Sequence, residues 1–131
     1  MKHSIIAMLL LVLAVASCKK DDKEEETAFS GTIVLNSPEN GTVISGGSGF
    51  QIIATISGNK EMHGYVLTVY NETNQSVVYT SNNLNHATAY SINETATHNL
   101  TVATPLRLVI EAEVDHDGQT LKKEILFSYQ P

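Results

Sequence analysis

The chain has 131 residues, 14 acidic against 8 basic side chains, one cysteine and no tryptophan. The single cysteine excludes a disulfide within the chain, and the net charge of −6 without a basic cluster argues against nucleic acid as a partner. The length admits one domain of moderate size.

The N-terminus is the most explicit stretch. Lys2 and His3 precede an uncharged apolar run of 12 residues, Ile5 to Ala16. That is shorter than the roughly 20 residues a spanning helix needs. It has the length of a secretory h-region and ends in small residues of the cleavage-site type. The order Val15-Ala16-Ser17-Cys18 resembles the lipobox of bacterial lipoproteins. The resemblance implies a signal peptide over residues 1–17, cleavage before Cys18, and a lipid-bearing Cys18 that holds the mature chain to a membrane. One acyl chain binds a bilayer only marginally, so a stable anchor requires more than one, as the resemblance implies.

Residues 18–28 follow as the lipidated cysteine and a linker. Lys19-Lys20-Asp21-Asp22-Lys23-Glu24-Glu25-Glu26 cannot bury apolar surface and is expected to remain disordered. From Lys19 to Thr27 it reaches roughly 30 Å when extended, at about 3.3 Å per residue. Lysine followed by acids just after the lipobox cysteine also resembles the surface-export signal of Bacteroidota lipoproteins. The expected location is therefore the outer membrane, on its periplasmic face or exposed at the cell surface.

Residues 29–131 read as the folded domain, with four basic residues (Lys60, Arg107, Lys122, Lys123) against nine acids. Gly31 to Asn36 alternates, and Asn36-Ser37-Pro38-Glu39-Asn40-Gly41 is a cluster of turn formers. After Gly46-Gly47-Ser48-Gly49, Phe50, Ile52, Ala54 and Ile56 share one face, the period of a half-buried strand. Ser57 to Glu61 reads as a loop. Tyr65, Leu67 and Val69 mark the next strand, and Ser76 to Thr80 a short one. Ser81 to His86 reads as polar loop, Thr88 to Glu94 as a strand and Thr95 to Pro105 as irregular. Leu106, Leu108, Ile110, Ala112 and Val114 give the clearest alternation, with Arg107, Glu111 and Glu113 on the opposite, solvated face. Asp115-His116-Asp117-Gly118 is a hairpin turn signal, and Leu121 to Tyr129 returns.

About seven short strands separated by turns predict an all-β sandwich. The segment from Ser37 to Gly47, SPENGTVISGG, resembles the first-strand kink of Ig-like domains. The domain as a whole resembles the broad Ig-like and fibronectin-like group of bacterial surface modules, although the Ig cysteine pair and tryptophan are absent.

That topology places the histidines. His63 lies between the strands at Phe50–Ser57 and Gly64–Tyr70, and His116 between those at Leu106–Val114 and Leu121–Ser128. Both loops emerge at one end of an Ig-like sandwich. His86 returns to the same end, and His98 falls at the other. Strand parity puts His63, His86 and His116 over the end of the core. Three imidazoles with Glu61, Asp115 and Asp117 nearby form a candidate zinc or copper site, with Met62 as a softer ligand favouring Cu(I). Calcium on Asp115, Asp117, Glu111 and Glu113 is the weaker reading, because the two glutamates alternate along a solvated strand face.

No serine sits in a G-x-S-x-G elbow and no nucleophile–base order emerges. The expectation is a membrane-anchored lipoprotein with a non-catalytic Ig-like binding module for a protein or glycan partner. Metal binding by the three histidines is the alternative.

Overall fold

The computed structural model describes residues 26–131. The expected signal, Cys18 and most of the charged linker lie outside the described residues. Among the described residues the structure is all-β, with eight strands: β1 (Gly31–Ser37), β2 (Val43–Ser45), β3 (Gly49–Met62), β4 (Tyr65–Asn71), β5 (Val77–Asn83), β6 (Ala87–Thr97), β7 (Thr104–Glu113) and β8 (Thr120–Gln130). No helix among the described residues is long and apolar enough to cross a membrane.

Two sheets face each other, one ordered β1-β3-β6 and the other β2-β8-β7-β4-β5. This is a β-sandwich in which the N-terminal strands β1 and β2 are divided between the layers. The turn cluster at Ser37–Gly41 makes that division. β1 pairs antiparallel with β3, whereas β2 pairs parallel with β8. Asn40 fastens the crossing, its side-chain oxygen accepting from the Leu126 amide at 3.0 Å.

The alternating residues of both layers fill the space between them. Ile52 and Ile56 of β3, Leu67 and Val69 of β4, and Leu106, Leu108 and Ile110 of β7 are completely buried. Each such side chain contributes about 1.5–3 kcal/mol by leaving water. β7 lies between β4 and β8, paired along its length on both sides. That is why its alternation is the cleanest in the sequence.

Three expected loops are shorter than the sequence suggests. β3 continues to Met62 through Ser57–Glu61, read as a loop from its Gly-Asn composition. The β3–β6 ladder is interrupted between Ser57 and Met62, yet Gly58 pairs with Gly31. On the β1 side of β3 the contacts continue, with the Asn59 side chain accepting from the Ser30 amide and donating to the Ala28 carbonyl. β5 likewise extends to Asn83. Within the Thr95–Pro105 stretch β6 runs to Thr97 and β7 starts at Thr104. Pairing with neighbours, rather than local composition, keeps these polar residues extended.

Candidate metal centre

β3 belongs to one sheet and β4 to the other, and only His63 and Gly64 join them. So short a crossover needs unusual backbone. Gly64 has a φ of +125°, and a Cβ there would lie 2.3 Å from the Asn83 carbonyl oxygen. The crossover is pinned to the end of β7 by a reciprocal pair. The His63 amide donates to the Glu113 carbonyl at 2.8 Å, and the Glu113 amide donates to the Gly64 carbonyl at 3.0 Å. His63 and Glu113 are thereby fixed side by side, although 50 positions separate them in the sequence.

His116 arrives on the β7–β8 hairpin. The Asp115 carboxylate accepts from the amides of Asp117 and Gln119, at 2.9 and 3.0 Å, and so shapes the turn. His86 arrives on the β5–β6 connection. The Tyr90 hydroxyl lies 3.0 Å from the Met62 carbonyl and 2.7 Å from that of Asn85, so its one proton is shared between the residues preceding His63 and His86. Burial raises the Tyr90 pKa above the usual 10, which keeps that proton in place.

The three rim histidines do converge. The His63 and His86 rings stack at 4.5 Å with 4° between their planes, and His63 and His116 are 4.1 Å apart at 55°. Ligating atoms of His63, Glu113 and His116 all lie within 4.8 Å of one another. His63 is half-buried, and its Nδ1 is enclosed without a hydrogen-bond partner. His86 and His116 are exposed. Glu61 approaches His86 Nδ1 at 3.3 Å, and Glu113 approaches His116 Nδ1 at 4.0 Å.

Several details depart from the sequence reading. Met62 is completely buried in the core and offers no sulfur to the rim. Asp115 serves its own turn rather than a histidine. The rings do not all lean over the core. His63 and His116 line a groove on the outer face of the five-stranded sheet, because the period of two does not extend through a two-residue crossover. Strand parity placed Glu113 correctly, away from the core, but gave no sign that it belongs to the histidine cluster. It sits on the outward face of β7, and that is the face the histidines overhang. The apolar alternation ending at Val114 marked it as the last outward residue before the hairpin; its nearness to His63 had no local sign.

The groove has a volume of about 440 Å³. Val66, Val109 and Leu84 give it an apolar lining, His63, Glu113 and His116 close one end, and Tyr70 lies towards the other. Arg107 covers the Tyr70 ring at 4.7 Å and is tied to Glu72 at 2.7 Å.

His98 is at the opposite end, as the topology predicts. Its amide bonds to the carbonyl of Ser48, which immediately precedes β3, whereas His63 follows that strand.

No protein-family model matches the chain, and no curated protein matches it.

Proposed function

We propose that the chain is a lipid-anchored, non-catalytic binding module of a bacterial outer membrane, and that its ligand face is the groove over β4 and β7. The observation that carries this reading is apolar surface left open where a β-sandwich normally turns polar residues outward. Val66 is 45 % and Leu84 72 % exposed, and both line one concavity with the nearly buried Val109. Such surface gathered in a groove marks a contact site more often than scattered single residues do. Its chemistry suits an apolar side chain of a protein partner. A sugar asks for an aromatic platform, and here Tyr70 is already covered by Arg107. The anchor rests on Val15-Ala16-Ser17-Cys18, and the charged linker after it leaves the domain free to meet a partner.

The native groove is expected to take an apolar anionic dye such as anilinonaphthalene sulfonate saturably, with about one site per chain. Val66→Glu should abolish this, whereas Val34→Glu, on the other sheet, should not. Dye binding that ignores Val66→Glu, or no saturable binding, defeats the groove as the ligand face.

A further inference from the structure

We propose that His63, Glu113 and His116 form a three-donor site for a divalent first-row metal ion, Zn(II) or Cu(II), and that His86 lies outside the ligand set. The proposal stands apart from the groove's partner and from the anchor, since it needs only the sandwich end.

The first argument is placement. The donors come from three segments, and the backbone holds two of them. His63 and Glu113 are locked by the reciprocal amide–carbonyl pair, and His116 stands on a turn shaped by Asp115. Their ligating atoms lie within 4.8 Å of one another. Around a tetrahedral zinc with bonds near 2.0–2.1 Å, donors sit roughly 3.3 Å apart. The remaining closure is about 1–1.5 Å at most. The exposed side chains of His116 and Glu113 are free to supply it by rotation.

The second argument is the unsatisfied nitrogen. A buried polar atom without a partner is uncommon in a folded protein and requires an explanation. His63 Nδ1 is one such atom, and a metal ion bound at that nitrogen would provide the explanation.

The third argument concerns ring orientation. An imidazole binds metal through a lone pair in its own plane. His63 and His86 are stacked, with 4° between their planes. Their lone pairs therefore lie in separate parallel planes, and a single ion does not sit in both. His116 is inclined at 55° to His63, so those two planes intersect and an ion on the line of intersection serves both. His86 instead packs against the His63 face and meets Glu61.

Donor chemistry sets the ion. Two imidazoles and a carboxylate suit Zn(II) and Cu(II), with a remaining position for water or a ligand from the groove. Met62 is buried, so no thioether turns the site towards Cu(I).

The test uses the mature chain from residue 18 with Cys18→Ser, which removes the thiol as a competing ligand. Titration with ZnCl2 or CuCl2 should show one saturable site. At a hundredfold excess over Kd the melting temperature should rise on the order of 10 °C by mass action. His116→Ala and Glu113→Gln change exposed side chains, so both variants should fold with unchanged metal-free melting temperature. Both should lose at least tenfold in affinity. His86→Ala should keep the one-to-one stoichiometry within a few-fold of the parent affinity. Absence of a saturable site overturns the proposal. So does binding that survives Glu113→Gln, or that disappears with His86→Ala. Dye binding in the groove is read separately, so failure of either reading is distinguishable from failure of the other.

Discussion

His98 shows how one side chain couples burial to pH. It is 6 % exposed, tilted against Phe50 and edge-on to Tyr129 at 4.6 Å. Its Nδ1 accepts from the Leu100 amide at 3.2 Å, which leaves the proton on Nε2, a buried atom without a partner. Desolvation lowers its pKa below 6.5, because charging the ring would place an ion among aromatic faces. The unfolded chain thus takes up a proton at higher pH than the folded one. The stabilisation is fully present above pH 6.5 and is lost as pH falls from there through the lowered folded-state pKa. Thermal melts from pH 7.5 to 4.5 should therefore show stability falling below about 6.5. In a His98→Gln variant that part of the slope should disappear. An unchanged slope would assign the acid sensitivity to other groups.

At the scale of the element, β7 is the strand on which the sandwich depends. It is paired on both sides, and its inward residues Leu106, Leu108, Ile110 and Ala112 are completely buried. Ile110→Asp would bury a carboxylate with no partner, at a cost of several kcal/mol against a typical domain stability of about 5–15 kcal/mol. The expected outcome is loss of the cooperative thermal transition. Glu111→Gln, one residue along and facing outward, should change stability by no more than about 0.5 kcal/mol. A far-UV melt of the two variants makes the comparison, and equal behaviour would contradict the facing of β7.

For the whole molecule, the geometry of the tether matters. β1 starts opposite the far half of β3, with Gly31 paired to Gly58, so the chain enters the domain at the end that carries His63. If Cys18 bears lipid, the histidine rim is at the end joined to the linker. The anchor itself is tested directly. In cells, Cys18→Ser should abolish incorporation of labelled acyl chain into the protein and block cleavage at the lipobox, so that the uncleaved form accumulates. A variant that is processed and stays equally membrane-bound would rule out lipid on Cys18.

The all-β class and the facing of the long strands were legible because burial imposes a period of two. Leu106 through Val114 and Phe50 through Ile56 carry that period without interruption, and each faces the core as the alternation predicts. Turn chemistry was equally legible at Asp115–Gly118, where Gly118 has a φ of +89°. The meeting of His63, His86 and His116 followed from topology, since strand order decides which loops share an end. Tertiary structure alone decided the donor set. Glu113 joins His63 through backbone bonds between segments 50 positions apart, and no local pattern encodes such a contact. Nor did composition reveal that Met62 is a core residue or that Ser57–Glu61 stays extended. Periodicity reports which side of a strand meets the core. At a two-residue crossover that rule lapses, and the direction of each side chain is set by neighbours distant in sequence.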